Sequence, residues 1–246
     1  MQQLLEKAKS CYEDAQRLFA NQSIEADENR IRIASVYRWM SFNVEDKTSS
    51  ADFRAKAEAL LANIREGLAK EELYGTDSRA LLTLEADSMR LSGNLIYDGF
   101  KKQGVRNIQA SDLDQAILLY KQATNVGQRL LGETRSGLEQ TFVLGSQIFA
   151  LANLADCYRF KLTKLAGTGN NVEAGTFKSA LKRTLDERIT LCKKLLSMDR
   201  TNRYFATLLG FGYFNLARAS PKRGNGLLVV NRWVARGLSF LWPARL

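Results

Sequence analysis

The chain has only two prolines in 246 residues, and both lie near its C-terminal end, at Pro221 and Pro243. Proline removes a backbone N–H and clashes with the preceding turn, so it interrupts helices. At an average usage of about 5%, roughly eleven prolines are expected in the first 220 residues. Their absence favours long, uninterrupted helices.

Apolar residues recur at helical spacing along nearly the whole chain, and no segment shows the sustained alternation of polar and apolar residues that is typical of strands. Short segments rich in Gly, Ser, Asp and Asn separate the helical stretches. We therefore predict an all-α protein. The predicted helices span residues 2–20, 26–44, 50–70, 77–103, 111–131, 137–165, 174–197, 202–219 and 227–241.

Every second predicted helix, up to residue 219, contains the same five-residue pattern: a large apolar residue, a small one, two variable positions and another large apolar or aromatic one. The four copies begin 58, 63 and 55 residues apart. They are Ile33-Ala34-x-x-Tyr37, Leu91-Ser92-x-x-Leu95, Leu154-Ala155-x-x-Tyr158 and Leu209-Gly210-x-x-Tyr213. Near-equal spacing of this kind predicts a structural repeat of helix pairs.

Two segments resemble the tetratricopeptide repeat (TPR) family. In the first segment, the residues have the spacing of the end of one repeat and the start of the next; they are Leu195, Asp199, Ala206, Leu209, Gly210 and Tyr213. In the second segment, Ala116, Tyr120 and Ala123 have the spacing of the second helix of a repeat. Arg200 replaces the proline that closes each repeat of the family, and the period is near 60 residues rather than 34. The resemblance implies stacked antiparallel helix pairs in a right-handed superhelix, a TPR-like α-solenoid with long helices. About four pairs would form one domain over residues 1–220.

Two glycines, Gly210 and Gly212, stand within the predicted helix 202–219, where each costs about 1 kcal/mol relative to alanine. In helix pairs of this family the small residue of the pattern lies where a neighbouring helix crosses, and the distance between the axes depends on the side chains at that contact. The resemblance therefore assigns the close contact to Gly210 and predicts that Gly210→Leu destabilises the protein. The alternative is that both glycines loosen a surface helix.

The resemblance also implies a partner-binding groove lined by the first helix of each repeat. The lining residues implied for the last unit are Tyr204, Thr207, Phe211 and Phe214, and those for the third unit are Phe149, Ala152, Asp156 and Arg159. Thr207 and Phe211 stand where the family's clamp for a C-terminal carboxylate needs Lys and Asn, so we expect an apolar or aromatic ligand instead. The alternative is that Phe211 and Phe214 belong to the core.

The residue types needed for catalysis are poorly represented. The chain has no histidine, and adjacent carboxylates such as Glu71 and Glu72 point in different directions on a helix. Three scattered cysteines argue against a disulfide framework and a zinc site. We expect no enzymatic activity, no cofactor, no metal and no small-molecule substrate. Charged residues in the first ten positions and the lack of a long apolar stretch predict a cytoplasmic protein without a secretion signal.

Charge is distributed unevenly along the chain. Residues 1–123 carry 17 Lys and Arg against 19 Asp and Glu, whereas residues 124–246 carry 19 against 7, and no acidic residue follows Asp199. Such asymmetry indicates an anionic partner, although a basic surface can also serve solubility alone. Nucleic acid is the less favoured partner, because no aromatic-interleaved RNA-binding pattern accompanies the charge. The candidate contacts with an anionic surface are Arg218, Lys222, Arg223, Arg232 and Arg236.

The repeat pattern stops near Pro221, and residues 221–246 predict a basic amphipathic C-terminal helix or tail. Such a helix can cap the apolar end of a helical array or lie in a membrane interface. The favoured function is a non-catalytic scaffold that binds a peptide or partner helix in a concave groove. The alternative is a peripheral adaptor that binds an acidic membrane or nucleic acid through the basic C-terminal half.

Overall fold

The computed structural model describes residues 2–18, 23–70, 78–103, 107–134, 136–166, 168 and 170–219. All regular secondary structure within these ranges is helical, which confirms the all-α prediction. The helices are α1 (Gln2–Gln16), α2 (Ile24–Asn43), α3 (Lys47–Leu68), α4 (Ser78–Gln103), α5 (Ala110–Glu133), α6 (Gly137–Leu165), α7 (Asn171–Met198) and α8 (Arg203–Ala219).

The observed helix ends agree with the predicted ones to within about three residues, except at the end of α1. This helix ends at Gln16 rather than at residue 20, because the chain turns at Arg17 and Leu18. The Leu18 N–H donates to the carbonyl of Ala15 at 3.0 Å, a tighter bond than a continuing α-helix makes. The helix predicted at 227–241 lies outside the described residues, as does the choice between its capping and membrane roles.

Side-chain caps define several helix starts. At α6 the Glu139 N–H donates to Ser136 Oγ at 3.1 Å, and the Ser136 N–H donates to Glu139 Oε2 at 3.4 Å, which forms a capping box. At α3 the Ser49 N–H donates to Asp46 at 2.7 Å. Hydrogen bonding from the Ser49 side chain, and secondly from its backbone N–H, lowers the pKa of Asp46. Residues 44–46 alone join α2 to α3, so these two helices are antiparallel neighbours.

The helices form two compact units, Met1–Glu133 and Thr134–Leu246. In the first unit α1 packs on α2, α2 pairs with α3, and α4 pairs with α5 while also contacting α2 and α3. In the second unit α6 pairs with α7, and α8 packs on α7. Adjacent helices therefore pack in pairs, as predicted. The sequence indicates no boundary near residue 133, since it predicts one helical domain over residues 1–220.

Equivalent positions are buried in successive helix pairs. All three residues of the repeated pattern are buried in α2, in α4 and in α6. Seven of the nine buried positions of α5 also recur in α7, 68 residues later. They are Leu113, Ala116, Ile117, Tyr120, Ala123, Thr124 and Gly127 in α5, and Leu181, Thr184, Leu185, Arg188, Leu191, Cys192 and Leu195 in α7. The α4–α5 and α6–α7 pairs thus share one arrangement of core positions.

The glycines of α8 differ from the prediction. A Cβ added at Gly210 would meet no atom within 4 Å, whereas one added at Gly212 would lie 3.1 Å from Ile189 Cγ1 on α7. Gly212 is buried together with Leu208, one turn earlier, because these two residues share the face that α8 presents to α7. The prediction that Gly210 makes the close contact is therefore wrong, and Gly212 makes it instead.

Candidate functional site

One face of α6 carries exposed apolar side chains. Phe149 is 46% exposed, and Leu138 and Phe142 are exposed to a greater extent. Helical geometry places these three residues in one stripe with Ala152 and Asp156, because their spacings are close to multiples of 3.6 residues. The residues predicted for the third unit therefore share a surface stripe, which continues toward the start of α6. The same spacing, followed back from Phe149, would have identified Leu138 and Phe142 from the sequence.

A second stripe of aromatic side chains lies on α8. Tyr204 and Phe211 are more than half exposed, and Phe214 is 37% exposed. Thr207 lies between them on the same face and is half-buried, and its hydroxyl donates to the carbonyl of Arg203 at 2.9 Å. Phe211 and Phe214 thus lie at the surface of α8 rather than enclosed between helices.

Arg159 connects α6 to α8. Its Nη2 donates to the carbonyl of Asn215 at 3.3 Å, and its Nη1 pairs with Asp156 one turn earlier on α6. Short loops make both α6 and α8 antiparallel to α7, so they run in the same direction. Phe149 lies ten residues before Arg159, and Tyr204 lies eleven before Asn215. At a rise of about 1.5 Å per residue, Phe149 and Tyr204 therefore lie at nearly the same distance along their helices from the contact between Arg159 and Asn215.

Arg218 lies in the last turn of α8 and is exposed. Its guanidinium carbon lies 5.7 Å from the centroid of the Phe214 ring, a distance typical of a cation–π contact. Arg218 thus places a positive charge next to the aromatic stripe of α8. The other residues predicted to contact an anionic surface lie outside the described residues; they are Lys222, Arg223, Arg232 and Arg236.

Two of the three free cysteines lie in the core of the second unit. Burial raises the pKa of the Cys192 thiol to about 11. Burial also raises the pKa of Cys157 strongly, and the nearby charge of Asp156 adds to the rise. Both thiols are therefore protonated at neutral pH, and protonated thiols are weak nucleophiles.

We expect a thiol reagent to modify Cys11 quickly in the folded protein and to reach Cys157 and Cys192 only after unfolding, because Cys11 alone is exposed. The measurement is the release of chromophore from an aromatic disulfide reagent at neutral pH, with and without denaturant. Cys11→Ser should remove the fast phase and leave the slow one. A fast phase that persists in this variant would contradict the packing of the second unit.

Arg188 is a further residue of interest, and the sequence reasoning missed it. It is buried in α7, next in the chain to Ile189 and one turn before Cys192. A charged residue within an apolar helical stripe is unusual and could have been recognised from the sequence, since arginine is almost never fully buried unless it is paired.

Within the described ranges, no group of three or more His, Cys, Asp or Glu side chains is arranged to hold a metal ion. None of the described helices combines the length and apolarity needed to cross a membrane. Comparisons of the chain with protein-family models, curated proteins and solved structures found no match. The resemblance to the tetratricopeptide repeat family therefore stays a prediction from the residues.

Proposed function

We propose that the protein is a non-catalytic scaffold that binds a peptide or partner helix on the aromatic faces of α6 and α8. The observation that carries this proposal is the exposure of Phe149, Tyr204, Phe211 and Phe214 on two helices of one unit that run in the same direction. Contiguous exposed apolar patches mark interaction sites, whereas single exposed apolar residues scattered over a surface are ordinary.

The contact between Arg159 and the backbone of Asn215 supports a single surface formed by both helices. Aromatic side chains supply large contact areas at a low cost in conformational entropy, and they are enriched among residues that dominate binding energies. A bound helix would present its own apolar residues at positions i, i+3, i+4 and i+7. The finer architecture that we propose for the scaffold is the right-handed TPR-like superhelix, whose stacked pairs would form a concave groove.

We propose no cofactor and no small-molecule substrate for the aromatic faces of α6 and α8, because apolar side chains dominate them. The cytoplasm is the proposed location. The free thiol of Cys11 is exposed, and such a thiol persists in a reducing compartment.

Selection from a displayed library of random peptides against the full chain tests this proposal. We expect the selected peptides to be rich in aromatic and aliphatic residues. Phe211→Ser should weaken their binding by about tenfold or more, a typical loss for a central aromatic contact. Leu118→Ser is the matched control, since Leu118 is equally exposed on α5 of the first unit. Equal binding by the wild type and both variants would place the site elsewhere.

The basic C-terminal half favours a second candidate function, an adaptor that binds an anionic surface. Of the five residues predicted to contact such a surface, Arg218 is the one that lies within the described residues. Electrostatic binding to nucleic acid falls steeply between 50 and 200 mM salt, whereas binding of an apolar peptide does not. Binding of the full chain to liposomes with anionic headgroups, measured at both salt concentrations, separates the two candidates. Salt-sensitive liposome binding without any selected peptide would favour the adaptor.

A further inference from the structure

Arg188 is a buried charge without a satisfying partner. The residue is only 5% exposed, and its Nε and Nη1 atoms are buried without a hydrogen-bond partner. Burial lowers the pKa of Arg188, but a guanidinium group remains charged in proteins. Two charged groups on α6 act on Arg188: Asp156 favours its charge, and Arg159 opposes it. A buried ion in this position destabilises the fold unless an anion accompanies it.

The equivalent position in the first unit shows how this core satisfies a polar group. Arg188 corresponds to Tyr120, whose hydroxyl donates to Asn94 Oδ1 on α4 at 2.7 Å. The ring of Tyr120 packs closely on Gly93: a Cβ added to Gly93 would lie only 3.0 Å from a ring carbon of Tyr120. The 63-residue shift from α4 to α6 places Asp156 at the position of Gly93 and Cys157 at that of Asn94. The amide acceptor of the first unit is thus replaced by a thiol, a poor acceptor.

Another arginine of the chain, Arg38, has a carboxylate that accepts its hydrogen bonds. Arg38 directly follows Tyr37, as Arg159 follows Tyr158, and it lies at the equivalent place between α2 and α4. Both of its side-chain hydrogen bonds are made to the carboxylate of Asp98, at 2.6 and 3.1 Å. In the second unit the carboxylate that acts on Arg188, Asp156, is paired with Arg159. Two guanidinium groups therefore share one carboxylate.

We propose that Arg188 and Arg159 form a binding site for a small oxyanion, whose oxygen atoms accept the free N–H groups of Arg188. The planar guanidinium group suits carboxylate and phosphate oxygens, since it presents its donors as a fork. The side chains of Arg159 and Asp156 are 27% and 35% exposed, so the group extends from the core to the surface. The anion is either free, such as inorganic phosphate, or the carboxylate of a glutamate in a bound peptide; this second source rests on the proposed function.

Thermal unfolding of the full chain in rising inorganic phosphate, at ionic strength held constant with sodium chloride, tests the site. We expect a rise in melting temperature that grows with the logarithm of the phosphate concentration and reaches roughly 5–10 °C at a hundredfold excess over the dissociation constant. Arg188→Met should abolish the rise. Arg183→Met is the matched control, because it removes the same charge from an exposed position on α7 and should leave the rise intact.

Asp156→Asn provides a test that does not depend on the stability of the Arg188 variant. It removes the carboxylate that competes with the anion, so the phosphate concentration needed for a given rise in melting temperature should fall severalfold. A second arm replaces phosphate with a short capped peptide containing one glutamate, compared with its glutamine twin. A response to phosphate assigns a free anion, and a response to the glutamate peptide alone assigns a peptide carboxylate.

No response in either arm, or an equal response in Arg188→Met, would overturn the anion site. These peptides lack aromatic residues, and phosphate has no apolar surface. Failure of the anion site would therefore leave the proposed aromatic surface untouched, and failure of peptide selection would leave the phosphate result standing.

Discussion

Replacing Asp98 with alanine should lower the free energy of unfolding of the first unit by about 3 kcal/mol. Arg38 Nε donates to Asp98 Oδ2 at 2.6 Å and Arg38 Nη2 to Oδ1 at 3.1 Å, and the two side chains are only 16% and 12% exposed. Because the pair joins α2 to α4, the substitution removes a tertiary contact and leaves a guanidinium charge largely buried. Urea denaturation followed by far-UV circular dichroism measures the loss.

The control for this prediction is Glu58→Ala, which breaks the exposed pair between Arg54 and Glu58 within α3. Exposed pairs of this type contribute at most about 0.5 kcal/mol. The double variant Arg38→Met, Asp98→Leu should recover much of the stability, since an apolar pair replaces a buried ion pair at little cost. If Asp98→Ala cost no more than Glu58→Ala, the pair between α2 and α4 would not stabilise the first unit.

The second large effect is expected at Gly212. Gly212→Leu should destabilise the second unit by about 1–3 kcal/mol, because overpacking forces side chains and backbone apart. A Cβ at this position already lies 3.1 Å from Ile189 Cγ1, and a leucine adds three further carbon atoms in the same direction. Thermal unfolding followed by circular dichroism at 222 nm, the helical band, reports the change.

Gly210→Leu is the matched control two residues away. No atom lies within 4 Å of a Cβ at Gly210, so leucine should be neutral there or stabilise by up to about 1 kcal/mol through its higher helix propensity. Combining Gly212→Leu with Ile189→Ala should restore part of the loss, because the second change makes room on α7. Equal destabilisation at both glycines would contradict the observed contact.

The candidate site was partly predictable from the sequence, because the helical periodicity that predicts the helices also predicts which residues share a face. Phe149 and Asp156 on α6, like Tyr204 and Phe211 on α8, are spaced so that any α-helix places them on one face. Whether such a face points to the core or to solvent depends on the neighbouring helices. The exposure of Phe211 could therefore not be deduced from spacing alone.

The sequence by itself determined the helical content and nearly all of the helix bounds, because proline absence, apolar periodicity and capping residues such as Ser136 act within a few residues along the chain. Only the tertiary structure decided that Gly212 and not Gly210 touches α7, and that Arg188 is buried without an acceptor. Each step along a helix rotates the side chain by about 100°. Two positions in the same turn can thus meet a core or open space, and only the placement of the neighbouring helix distinguishes them.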